Sequence, residues 1–153
     1  MEIVLGSDHA GYELKADLRA YLGERNITVC DMGVASETPA DYPEIARAVA
    51  EKISRKEFAR GILVCGSGIG MSIVANRFPG VRAALCHDLS SARLSREHND
   101  ANLLVLGGRF LGKGLAREIT QVWLESAFQG GRHQKRLDQI ESLDQAIREG
   151  RKK

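Results

Sequence analysis

Short runs of Val, Ile and Leu return five times along the chain, each separated from the next by a longer stretch with apolar residues at three- and four-residue intervals. Apolar runs this short read as strands buried on both faces, and the wider spacing reads as helix. Strands that alternate with helices build a parallel sheet, because a parallel pair needs a crossover long enough to hold a helix. The pattern predicts strands over 2–6 (EIVLG), 27–31 (ITVCD), 61–65 (GILVC), 81–86 (VRAALC) and 103–107 (LLVLG). Helices are expected over 11–24, 43–55, 69–77, 89–98 and 112–127. The fold class is therefore a single doubly wound α/β domain of three layers, a five-stranded parallel sheet with helices on both faces. A sixth helical segment follows Gly130-Gly131, with Leu137, Ile140, Leu143 and Ile147 on one stripe. This C-terminal extension, 130–153, either packs on the same domain or covers a neighbouring subunit, and the spacing leaves both open.

Composition narrows the class of partner. At 153 residues the chain suits one core, and 43% hydrophobic with 27% charged residues is an ordinary globular balance. A formal net charge of +2 and scattered aromatics give no footprint for nucleic acid. No apolar run approaches a membrane-spanning length. The start, MEIVLGSDHAGYELK, turns polar after one short apolar run and lacks the form of a secretory signal, so a cytoplasmic protein is expected. Cys30, Cys65 and Cys86 are widely spaced with no CxxC, which supports reduced thiols and neither a disulfide framework nor a structural zinc site.

Ligands of open parallel sheets bind beyond the carboxyl ends of the strands. Four of the five segments there hold reactive or phosphate-compatible residues: Ser7-Asp8-His9-Ala10-Gly11, Cys65-Gly66-Ser67-Gly68-Ile69-Gly70, His87-Asp88 and Gly107-Gly108-Arg109. The glycines at 66, 68 and 70 let backbone N–H groups turn inward at the start of a helix, a setting that holds an anion. Cys65 opens that loop, and a helix N-terminus favours the reactive thiolate form of a cysteine. Cys30 and Cys86 lack such a cradle and read as structural. His98-Asn99 falls at the end of a helix and would need a neighbouring subunit to reach the same edge.

Familiar glycine-loop chemistries fit poorly. Met71-Ser72 stands where a P-loop needs its Lys and hydroxyl residue, and Met71 also fills the place of a cysteine phosphatase's clamping Arg. The run Gly66 to Gly70 ends one residue short of a dinucleotide fingerprint, although Asp88 lies at the ribose-binding distance and keeps that reading open. Proton transfer at carbon fits better. Interconversion of an aldose and a ketose passes through an enediolate that loop amides would stabilise, and it requires no metal and no cofactor.

The motifs GSDHAGYELK at the start, DYPEIA at 41–46, GILVCGSGIGMSIVANRFPGVRAAL at 61–85, SREHNDANLLVLGGR at 95–109 and GGRHQKR at 130–136 together resemble the type B ribose-5-phosphate isomerase family, which also contains galactose-6-phosphate isomerase subunits. The resemblance implies a Rossmann-like fold, a homodimer or dimer of dimers with shared active sites, and a step of the pentose phosphate pathway. By this resemblance Cys65 is the base that moves a proton between C1 and C2. Relatives that use Glu instead carry it at the position of Met71. Ser67 would hold the carbonyl end, and the amides of Gly66, Gly68 and Gly70 the oxyanion. His98 would open the ring, Asn99 would hold the enediolate, Asp8 would relay a hydroxyl proton and Tyr42 would line the pocket. His9, Arg109, Arg132 and Arg136 would hold the phosphate. The last two lie four apart on one predicted helix face; taken alone they read as a solvated basic surface. His9 and His98 taken alone read as capping or core residues. His87 and Asp88 remain supporting candidates. The same reaction on a six-carbon sugar 6-phosphate, and a binding protein that lost the chemistry, are the alternatives.

Overall fold

The computed structural model describes residues 1–150; the last three residues of the predicted extension, Arg151 to Lys153, lie outside the described residues. Five strands, β1 (Glu2–Ser7), β2 (Thr28–Asp31), β3 (Gly61–Cys65), β4 (Ala83–Leu85) and β5 (Leu103–Gly107), form one sheet in the order β2-β1-β3-β5-β4. Every pairing is parallel. The helices are α1 (Tyr12–Glu24), α2 (Tyr42–Ser54), α3 (Ile69–Ala75), α4 (Leu89–Asn99), α5 (Lys113–Glu125) and α6 (Arg132–Gly150).

Alternation along the central strands explains the two helical layers. Ile3, Leu5, Ile62, Val64, Leu104 and Leu106 face α1, α4 and α5, while Val4, Leu63, Leu103 and Val105 face α2 and α3. Both faces are covered, so β1, β3 and β5 read as unbroken apolar runs. Trp123 of α5 is fully buried in the first layer. The guanidiniums of Arg60 and Arg96 stand 5.6 and 5.7 Å from its ring centroid, close enough for cation–π attraction.

The predicted boundaries shift where side chains take over backbone hydrogen bonds. Residues 81–82 do not join β4, because the Arg82 N–H is taken by Asn102 Oδ1 at 2.8 Å. Asn76 leaves α3 to pair with both backbone groups of Ala83, at 2.9 Å each, so that helix stops at Ala75 rather than running to 77. A short 3-10 turn, His9–Gly11, precedes α1 and is capped by Asp8, whose Oδ1 accepts the Gly11 N–H at 3.0 Å. In α6 only Leu137 of the predicted stripe is buried; Ile140, Leu143 and Ile147 are exposed.

The sheet order reverses direction beside β1 and β3: β1 leads outward to β2, and β3 lies on its other side. A crevice between crossovers opens at such a point. Register then aligns the carboxyl ends of the central strands. Ser7 pairs with Val64 and Cys65 with Gly107, so the segments after β1, β3 and β5 meet in one row. Trp123→Ala should cost about 3–5 kcal/mol of folding stability, measured by urea denaturation, because it empties the largest side chain of that layer.

Candidate active site

That row surrounds a cavity of about 540 Å³, lined by Asp8, His9, Tyr42, Cys65, Gly66, Ser67, Gly70 and Arg109, with Ala10, Ile69 and Ile73. Cys65 ends β3 almost fully buried, and its Sγ accepts the Gly68 N–H at 3.1 Å. Such a bond strengthens when the sulfur carries negative charge. Gly68 holds φ at +80°, and a Cβ there would meet Leu85 at 2.4 Å, so only glycine lets this N–H point back at the sulfur. Ser67 Oγ accepts the Ile69 N–H at 3.3 Å, which tightens the same loop.

Tyr42, the first residue of α2, lays its ring against Gly70, where a Cβ would sit 2.5 Å from it. Across the cavity, Gly108 donates its N–H to the Cys65 carbonyl at 2.7 Å and Arg109 to the Gly66 carbonyl at 3.0 Å. These bonds lock the β5 segment to the loop and lay the Arg109 guanidinium over Gly66. His9 Nδ1 accepts the Ala40 N–H at 3.2 Å. A neutral ring bonded this way carries its proton on Nε2, a donor for an anion. A larger groove of about 780 Å³ lies between α1 and β2, but its Lys15 and Asp31 neutralise each other at 2.8 Å, and it contains no acid/base or anion cradle.

The remaining sequence candidates gather elsewhere. Helix α4 starts beyond the carboxyl end of β4 and runs roughly 16 Å back before β5 begins, at 1.5 Å per residue. His98 and Asn99 on its last turn therefore lie at the opposite edge of the sheet from Cys65. The start of α6, with Arg132 and Arg136, joins them there: the His98 and His133 rings stack at 4.2 Å and 9°. So the structure brings Asp8, His9, Tyr42, Cys65, Ser67 and Arg109 together with the glycines, and separates them within one chain from His98, Asn99, Arg132 and Arg136. Among the described residues no cluster of three or more His, Cys, Asp or Glu is placed to hold a metal ion, and no helix is long and apolar enough to cross a membrane.

Comparison with known proteins decides the family. The ribose/galactose isomerase signature matches residues 3–140, nearly the whole chain. The chain belongs to the ribose/galactose isomerase family. It is 44% identical over 144 residues to ribose-5-phosphate isomerase B of Escherichia coli (strain K12), which covers 94% of this chain and 97% of that one. D-erythrulose-4-phosphate isomerase of Pectobacterium atrosepticum is 41% identical over 142 residues, 92% of this chain and 93% of its own. The solved structure of Clostridium thermocellum ribose-5-phosphate isomerase B aligns with a TM-score of 0.94 at 46% identity, covering 96% of this chain and 99% of that chain. The family and fold read from the motifs are both correct.

Within this family frame several side chains change standing. Asp88 caps α4, accepting the Ser91 N–H at 2.7 Å, a bond that holds its carboxyl below the usual carboxylate range. It serves the helix, which removes the ribose-contact reading that kept a dinucleotide site open. His87 packs edge-on against Phe110 with centroids 5.7 Å apart. Burial pushes the Cys86 thiol up, as suits a structural cysteine. Met71 is fully buried among α2 and α3 and offers nothing to the cavity.

His133 is the residue that sequence reasoning missed. It lies within the GGRHQKR motif, and its buried ring, between two arginines in sequence, carries no periodic signal of its own. Burial lowers its pKa from 6.5, and the neighbouring His98, Arg132 and Arg136 lower it further. The folded chain thus binds this proton less readily than the unfolded chain. As pH falls through the ordinary imidazole value, the unfolded state gains a proton that the folded state refuses, and stability drops. Urea midpoints should therefore fall between about pH 7.5 and about pH 5.5, and His133→Phe should flatten that difference.

Proposed function

We propose that the protein interconverts ribose 5-phosphate and ribulose 5-phosphate as a cytoplasmic enzyme, in a site shared between two copies of the chain. Residues 1–153 then form one sugar-phosphate isomerase domain with 130–153 as its extension. The observation that carries this reading is the Cys65 sulfur at the wall of an open cavity, receiving the Gly68 N–H beside His9 and Arg109. The name of the Escherichia coli relative supports the substrate. The opposite placement of His98, Asn99, Arg132 and Arg136 supports the sharing, since a second copy can bring them to the cavity and one chain cannot. A homodimer satisfies this, and so does a dimer of dimers.

The chemistry follows from the groups. His98 of the second copy protonates the ring oxygen while the anomeric hydroxyl proton leaves through Asp8, and the C1 carbonyl is freed. The Cys65 thiolate takes the C2 proton, and the electron pair moves to O1 as an enediolate. N–H groups of the Gly66–Gly70 loop other than those of Gly68 and Ile69, which bond Cys65 Sγ and Ser67 Oγ, stabilise that charge together with the Ser67 hydroxyl and Asn99. A proton passes from O2 to O1, and the Cys65 thiol returns its own to C1. His9 Nε2, Arg109, Arg132 and Arg136 hold the phosphate, which fixes the sugar against the sulfur.

Chain length of the sugar is the open choice, because relatives of this chain carry the names of galactose and D-erythrulose 4-phosphate as well as ribose. The distance between the phosphate clamp and Cys65 sets it. Incubation in deuterated water with ribose 5-phosphate should give ketose with deuterium at carbon, followed by NMR. Exchange confined to a six-carbon sugar 6-phosphate would move the assignment to that substrate.

Cys65→Ala should lower turnover roughly 10²–10⁴-fold while calorimetric binding of ribose 5-phosphate changes less than about twofold. Unchanged turnover would remove Cys65 from the chemistry. Mixing Cys65→Ala with His98→Asn tests the shared site: random pairing of two crippled chains should restore roughly a quarter of full activity, since half the dimers are mixed and each has one intact site. No restoration would place both residues in the same chain's site.

A further inference from the structure

The ring-opening residue is held at its edge of the sheet by a residue outside the chemistry, and we infer that Asp100 is a positioning residue for His98. The inference rests on the reading of His98 as the ring opener. Asp100 follows Asn99 directly and ends α4 in the left-handed region, at φ 44° and ψ 44°. Helices usually reserve this place for Gly or Asn, so the carboxylate has to be explained by what it touches.

It touches two guanidiniums. Oδ1 accepts from Arg96 Nη1 at 2.8 Å, Oδ2 from Arg82 Nη2 at 2.9 Å, and the Asp100 carbonyl from Arg82 Nε at 3.0 Å. Arg96 is nearly buried and also donates to the Ala101 carbonyl at 2.6 Å, while its Nε has no partner. Asp100 is the carboxylate paired with that buried cation, and a buried cation without its partner is costly. Arg82 precedes β4 and reaches Glu141 of α6 at 3.6 Å. One carboxylate thus ties together the last turn of α4, the entry to β4 and, through Arg82, the helix that carries His133.

His98 depends on this geometry. Its ring stacks on His133 at 4.2 Å, an arrangement that a small rotation of the last turn would break. A left-handed residue clamped from both sides fixes the direction in which the chain leaves the helix, and with it that rotation. Arg82 and Arg96 hold Asp100, Asp100 holds the turn, and the turn presents His98.

Ribulose 5-phosphate separates this role from a general structural one. Its O5 carries the phosphate, so it cannot close a five-membered ring, and deuterium exchange at its C1 needs Cys65 but no ring opening. Asp100→Asn keeps a residue at home in the left-handed region and removes the charge. It should lower turnover of ribose 5-phosphate about 10-fold to 100-fold with KM within about twofold, and leave C1 exchange into ribulose 5-phosphate within about twofold. In a His98→Asn background the same change should lower ribose turnover less than about twofold further. Equal losses in both reactions, no loss in either, or a full additional loss in the His98→Asn background would overturn the inference. Should Asp100→Asn fold poorly by thermal melting, Asp100→Gly keeps the backbone and gives the same comparison. If His98→Asn alone spares the ribose reaction, the ring-opening reading fails; if His98→Asn is selective and Asp100→Asn is not, only the role of Asp100 fails.

Discussion

The pairing of β3 with β1 on one side and β5 on the other governs the rest of the molecule. It sets Val64 beside Ser7 and Cys65 beside Gly107, so three segments distant in sequence emerge in one row. The backbone then completes the arrangement: the Cys65 and Gly66 carbonyls accept N–H groups from Gly108 and Arg109, and Cys65 Sγ accepts the N–H of Gly68. Each of these groups would otherwise be buried without a partner or exposed to compete for water. The cradle is thus a by-product of satisfying backbone hydrogen bonds at a sheet edge, with glycine chosen where a Cβ would block the turn or the Tyr42 ring.

A βα repeat imposes a second constraint, because every helix returns the chain to the amino edge of the sheet. Groups between a strand and the start of the helix that follows it can join the sulfur, and groups at or beyond that helix's end cannot. Asp8, Tyr42 and Ser67 belong to the first kind; His98 and Asn99 belong to the second, as do Arg132 and Arg136 after α5. In the proposed reading carbon acid chemistry and ring opening are divided along this line, and assembly of two chains reunites them. The division is topological, so no movement of side chains within one chain would remove it.

Much of this was legible in the letters. Strand positions followed from apolar runs with both faces covered, and Asp8, His9, the Cys65–Gly70 loop and Arg109 followed from their place just after strands, whereas Tyr42 came from the family resemblance alone. Cys65 stood out through its glycines, and the five motifs identified the family. The features that were not legible depended on contacts between side chains remote in sequence. The short β4 reflects Asn76 and Asn102 taking backbone bonds, which no local pattern reports. His133 and Asp100 carry their roles through a ring stack and two ion pairs. Asp88 sits at the spacing of a ribose contact, and only the position of its carboxylate over the first turn of α4 shows that it is a cap.

In the proposed reading, the electrostatics of the amino edge suit a phosphate. His133 has its proton disfavoured first by burial and then by the neighbouring His98, Arg132 and Arg136. Arg132 and Arg136 are exposed and form no ion pair with a carboxylate among the described residues, whereas Arg82 and Arg96 share the carboxylate of Asp100. Two cations on one helix face are therefore left without a carboxylate partner among the described residues. In the proposed reading a sugar without phosphate offers nothing to balance them, and an anion seated between them gains from both while its sugar is still unreacted. In that reading, binding energy collected at a group remote from C1 and C2 orients those carbons against the sulfur that takes the C2 proton, and the loop N–H donors act on the enediolate as it develops.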